Sequence, residues 1–220
     1  MNIHMEVIMT KQLFWLMVWG VVFGYMEATI VVYLREIYYP EGFAFPLVTI
    51  HARIMLTEVL REAATLLIIL ATVCLAYKRL QSRVAAFVVL FGIWDIFYYI
   101  FLKLLLNWPE SLSTWDILFL IPLPWVGPIW APLLVSIGFI YAGTAILMRN
   151  HQKHFLHFGR RFILLELFAA LLIIVSFIIP GLSVLEQSLP THFPWYLFLT
   201  GFFTGIGVFL YYFYSSNHIE

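Results

Sequence analysis

The chain has 220 residues, 63% hydrophobic and only 11% charged, with a mean hydropathy of +0.95; a soluble domain carries roughly 25% charged residues, so a water-soluble globular fold is excluded. Twelve Lys and Arg balance twelve Asp and Glu, which leaves no basic excess to neutralise phosphates and argues against nucleic acid as a partner. The single cysteine, Cys74, excludes an intrachain disulfide and any all-cysteine zinc or iron–sulfur site within one chain.

Apolar runs of about 20 residues are needed to cross a hydrocarbon core of about 30 Å. Six such runs lie at residues 12–34, 54–77, 84–106, 126–148, 162–180 and 194–214. They predict an all-α, polytopic membrane protein with one integral membrane domain over residues 1–220. Lys11 is the only Lys or Arg before the first run, and Glu27 stands where a cleavage region would need small residues, so this segment is expected to remain as an anchor. Gly20, Gly24 and Glu27 follow at i, i+4 and i+7, which puts the carboxylate on a face where small residues let another helix approach.

The second run carries Glu58, Arg61 and Glu62, with His51 on a similar stripe if the helix begins that early. In the third, Tyr98 and Tyr99 follow Asp95 by one turn and Lys103 follows Tyr99 by another, a potential polar ladder. Residues 117–148 hold no charge and would measure about 48 Å as a single helix. Pro122, Pro124, Pro128 and Pro132 interrupt that stretch, each removing a backbone donor. Residues 116–126 are therefore expected to form a short interfacial or re-entrant segment before the fourth span, with carbonyls free to line a pathway.

Basic residues set the expected orientation. Lys78, Arg79 and Arg83 lie between spans two and three, and Arg149, Lys153, Arg160 and Arg161 between spans four and five. These mark the cytoplasmic side of a bacterial-type inner or plasma membrane, with both termini on that side. Trp15 and Trp19 suit the inner interface, and Trp108, Trp115 and Trp195 the outer one. Eight of the positive charges then belong to the inner face, whereas nine of the negative ones lie outside or in the outer membrane half.

Ionisable residues inside a membrane cost about 2.5 to 3.5 kcal/mol on insertion scales and face a bundle interior or a wet cavity. Glu27, Glu58, Glu62, Asp95 and Lys103 fall at depths of about 5 to 16 Å from the outer helix ends. The carboxylates Glu27, Glu58, Glu62 and Asp95 outnumber the cations Arg61 and Lys103, so two of them must be protonated, solvated or bound to a cation. This predicts a cation- or proton-binding site in the outer half of spans one to three, used in transport or ion movement. Arg61 and Lys103 would tune its charge and Tyr99 would orient Asp95.

Two other functions remain open. A membrane-embedded, metal-dependent enzyme would use Glu27, His51, Glu58, Glu62 and Asp95 as ligands for a divalent metal ion. A non-catalytic subunit would use the buried charges to pair with membrane-protein partners or with a second copy in a homo-oligomer. The plainest alternative is structural: Glu58, Arg61 and Glu62 as an intrahelical ion-pair set, with Asp95 bonding helix to helix. The lipid bilayer is a partner in every case. His-Glu-x-x-His, Gly-x-Ser-x-Gly and nucleotide-binding motifs do not occur. Histidines 151, 154 and 157 fit a solvated basic loop, and Glu166 near the end of span five fits snorkelling or a partner from that loop.

Overall fold

The structure, a computed structural model, describes residues 3–186 and 188–215, with side chains from residue 11 onward. The elements in order are α1 (Ile3–Tyr38), α2 (Ala52–Ala76), α3 (Leu80–Leu106), β1 (Trp115–Phe119), β2 (Trp125–Pro128), α4 (Trp130–His151), α5 (Arg160–Leu185) and α6 (Trp195–Ser215). Six helices among the described residues are long and apolar enough to cross a membrane, in agreement with the all-α polytopic fold read from hydropathy. Many apolar side chains on these spans are exposed: Leu67 on α2 is 63% exposed and Leu167 on α5 is 61% exposed. In water such faces would drive aggregation; in hydrocarbon they are the solvated surface.

Boundaries shift where local chemistry intervenes. The fourth span begins at Trp130 rather than residue 126, because residues 125–128 pair as a strand. The fifth continues through Pro180 to Leu185, since a membrane helix tolerates proline where neighbouring structure accommodates the interrupted turn. α3 ends where Asn107 adopts the left-handed conformation at φ 52°, a common role for asparagine at a helix C-terminus. The proline-rich segment forms an antiparallel hairpin. Trp115 faces Pro128, Asp116 faces Gly127, Ile117 faces Val126 and Phe119 faces Trp125, with a register shift between Ile117 and Phe119. The prolines forbid a continuous helix, and cross-strand pairing gives much of this backbone its hydrogen bonds instead.

The chain divides into two compact units. Unit 1 comprises Met1–Phe43, Ala64–Thr114 and Pro132–Phe155. α3 is its central helix, with Ala85, Ala86, Leu90 and Leu102 fully buried. Glycines set its close approaches. A Cβ at Gly20 would lie 2.7 Å from Ile93 Cγ2, and one at Gly24 would lie 3.0 Å from the Trp94 carbonyl, so the predicted small-residue stripe of α1 is seated on α3. α4 reaches α3 the same way, Gly92 against the Ser136 carbonyl and Gly143 against the Ala85 carbonyl.

Unit 2 comprises Ala44–Ala63, Trp115–Ala131 and Leu156–Glu220. α5 and α6 pair through Gly201, where a Cβ would come within 2.7 Å of the Ala169 carbonyl. The hairpin docks on α5: Gly127 lies against Phe177 and Phe193, and Gly181 against the Pro124 carbonyl. Around it runs an aromatic cluster in which Trp125 stacks on Phe177 at 6.2 Å and Trp130 stacks on Trp195 at 4.0 Å, ring centre to ring centre. These glycine seats generate a direct test. Gly143→Ala pushes a methyl group to 2.5 Å from a backbone oxygen and is expected to destabilise the protein by about 1 to 3 kcal/mol. Gly207→Ala, with nothing within 4 Å of the new Cβ, is expected to be neutral or stabilising, since alanine is the better helix former by about 1 kcal/mol. Thermal melting in detergent compares the two.

Candidate functional site

Unit 1 holds two buried carboxylates on different helices. Glu27 on α1 is 5% exposed and Asp95 on α3 is 8% exposed. Thr65 Oγ1 of α2 donates to Glu27 Oε1 at 2.7 Å. Ser136 Oγ of α4 donates to Asp95 Oδ2 at 2.8 Å. The packing explains the second bond: Gly92 stands one turn before Asp95 and seats α3 directly on the Ser136 backbone, which brings that hydroxyl within reach.

Lys103, the last member of the predicted ladder, turns to the end of its own helix. Lys103 Nζ donates to the carbonyls of Asn107 at 3.2 Å and Pro109 at 2.9 Å, so it satisfies acceptors at the end of its own helix. The Tyr99 ring lies near Tyr98 and Trp108. Arg35, at the last turn of α1, is buried between two aromatic faces, 3.6 Å from Trp108 and 4.5 Å from Phe43. Cation–π attraction of this kind strengthens when water is excluded.

Unit 2 holds the other two predicted carboxylates. Arg61 Nε donates to Glu58 Oε2 at 2.8 Å, three residues apart on α2. Glu62 is 8% exposed, and its Oε2 accepts the Leu120 backbone N–H at 2.8 Å. α2 is thereby tied to the tip of the hairpin, where the prolines leave few backbone donors. His51 is exposed and immediately precedes α2; its Nδ1 accepts the Arg53 N–H at 3.3 Å, and its carbonyl accepts from Ile54 and Met55. It begins the helix rather than lying within it.

Some features had no usable signal in the sequence. Asp116 reads as an outer-loop acid, yet it is 2% exposed on β1 opposite Gly127; only knowledge of the hairpin would have buried it. Thr65 and Ser136 are ordinary hydroxyls without charge or motif. Glu166 lies beside the α6 glycine Gly205, with Oε2 3.5 Å from the position of an added Cβ. Its Oε1 is buried without a hydrogen-bond partner among the described residues, so the partner expected from the basic loop does not satisfy that atom.

Among the described residues, no three His, Cys, Asp or Glu side chains form a group able to hold a metal ion. A divalent-metal centre built from Glu27, His51, Glu58, Glu62 and Asp95 therefore has no support in this geometry. The six apolar helices and the polar contacts held among them define a multi-pass membrane protein. Comparison with protein-family models, curated proteins and solved structures finds no match, and the functional reading rests on the residues themselves.

The tether at Glu62 can be tested alone. Glu62→Leu removes the acceptor of the half-buried Leu120 N–H, at a cost of about 1 kcal/mol for the lost bond. Glu62→Gln retains an acceptor oxygen and is expected to be mild. Amide hydrogen exchange at Leu120 reports the difference: accelerated in the leucine variant, close to wild type in the glutamine variant.

Proposed function

We propose that this multi-pass membrane protein moves protons, or a solute coupled to protons, with Glu27 and Asp95 as the proton-carrying groups. What supports the reading is one shared feature. Each carboxylate is buried on a membrane-spanning helix and is met by a hydroxyl from another helix. A hydroxyl donates to a carboxylate and, after rotating, accepts from the carboxylic acid, so the contact persists in both protonation states. Glu62 accepts a backbone N–H and Glu58 a guanidinium. A backbone N–H only donates, as at Glu62, and a guanidinium remains charged, as at Glu58.

Both units belong to one membrane domain in this proposal. The loops bearing Lys78, Arg79, Arg83, Arg149, Lys153, Arg160 and Arg161 face the cytoplasm of a bacterial-type inner or plasma membrane. The termini share that side; residues 1–2 and 216–220 lie outside the described residues. The site would be reached from the opposite, acid-rich side. Sidedness is checked in cells on a Cys74→Ala background: Lys153→Cys is expected to resist an impermeant thiol reagent added outside, and Glu110→Cys to react with it.

Flux is the decisive measurement. Glu27→Gln and Asp95→Asn each preserve shape and a hydrogen-bonding group while removing the titratable proton. Reconstituted in liposomes containing a pH-sensitive dye, each is expected to lose proton movement by about 100-fold or more, the scale of a missing proton-transfer group. Wild-type flux in both variants, with insertion intact, would leave these carboxylates as helix-to-helix fastenings.

A further inference from the structure

The basic end of unit 1 contains a cavity unrelated to the carboxylate pair. It measures about 160 Å³, room for roughly five water-sized groups at about 30 Å³ each. Gln12 of α1, Tyr77 just before α3, Ser82 of α3, and Asn150 and His151 at the end of α4 form its polar wall. Leu13 and Leu147 supply the apolar part.

The Asn150 amide is only half committed. Its Nδ2 donates to Ser82 Oγ at 3.1 Å, while Oδ1 is buried and has no hydrogen-bond partner among the described residues. Burial raises the pKa of the Tyr77 phenol above its ordinary 10.0, so it stays a neutral hydroxyl that can donate and accept. Neutral groups of both kinds on one wall match the hydroxyls of a ligand better than they match a bare ion.

The surrounding charge has one sign. Residues 11–13, 77–83 and 147–153, which build the cavity, include Lys11, Lys78, Arg79, Arg83, Arg149 and Lys153 and no Asp or Glu. Two of these cations are anchored beside it: Arg83 Nε donates to the Tyr77 carbonyl at 2.7 Å, and the Arg79 guanidinium lies 3.6 Å over the Phe155 ring. Such a field attracts an anion. The place, at helix ends where a bilayer's headgroups lie, adds that the anion carries acyl chains.

We propose that this cavity seats the headgroup of an anionic, hydroxyl-bearing glycerophospholipid. Headgroup hydroxyls meet Asn150, Ser82 and Tyr77, the phosphate lies in the basic field, and the chains leave past Leu13 and Leu147. The shared chemistry, a phosphate bearing a polyol, also belongs to free glycerol phosphate, and the experiment separates the two sources.

Delipidated protein in detergent is titrated with phosphatidylglycerol, phosphatidylcholine or glycerol 1-phosphate. Native mass spectrometry counts bound ligand and thermal melting reports stabilisation. Phosphatidylglycerol is expected to be retained and to raise Tm, and phosphatidylcholine to do neither. Stabilisation by glycerol 1-phosphate equal to that by the lipid would overturn the lipid as the source and assign the cavity to a soluble ligand. Asn150→Leu is expected to weaken phosphatidylglycerol binding by about five- to tenfold, the equivalent of one or two hydrogen bonds. Gln12→Leu, at an exposed position, gives a smaller loss without disturbing the Ser82 contact. Equal binding of the two lipids, or phosphatidylglycerol binding unchanged in both variants, would overturn the site.

Discussion

Hydrocarbon offers no hydrogen bonds, and that constraint organises the chain. A polar group taken into it must find a partner within the protein or remain costly. The helical backbone satisfies itself, so six apolar runs become six helices. Where prolines make a continuous helix impossible, the backbone pairs across a hairpin, and Glu62 takes up a donor at its tip. Buried side chains obey the same demand, and the kind of partner each one finds decides what it can do. Glu27 and Asp95 each meet a hydroxyl from another helix, that of Thr65 and that of Ser136. Glu62 accepts a peptide N–H, and Glu58 a guanidinium.

Close packing makes those partnerships possible. α1 and α4 approach α3 at glycines, where a side chain would strike backbone or branched carbon. Without such seats, helices stand farther apart and short hydroxyl side chains fall out of reach. Gly92 and Asp95 illustrate the dependence: one turn of α3 carries both the seat and the acid, and the opposing turn of α4 carries both the backbone that fills the seat and the Ser136 hydroxyl that meets the acid. In membranes, where apolar burial contributes little to association between helices, this contact geometry carries much of the specificity.

The spans were legible because hydropathy over about 20 residues is a local property that the membrane reads directly. Gly20 and Gly24 were legible as a contact face, though their partner helix was not. The candidate site was less so. Thr65 and Ser136 lie 38 and 41 residues from the carboxylates they meet, and nothing in a hydroxyl's local sequence announces a distant acid. Lys103 falls at the right spacing to extend a ladder from Asp95, yet the carbonyls at its own helix end are nearer claimants. The burial of Asp116 was not legible because the prolines advertised a broken helix without revealing that the break pairs into strands. Charge excess counted over several helices could not tell which acids a hydroxyl meets.

The seat of Arg35 has a consequence of another kind. The Trp108 and Phe43 rings on either side of the Arg35 guanidinium do not titrate near neutral pH. With Arg35 only 7% exposed, dissolved salt has little access to screen the contact. The end of α1 that begins the first loop is therefore fastened in part by ring contacts that acidity does not alter.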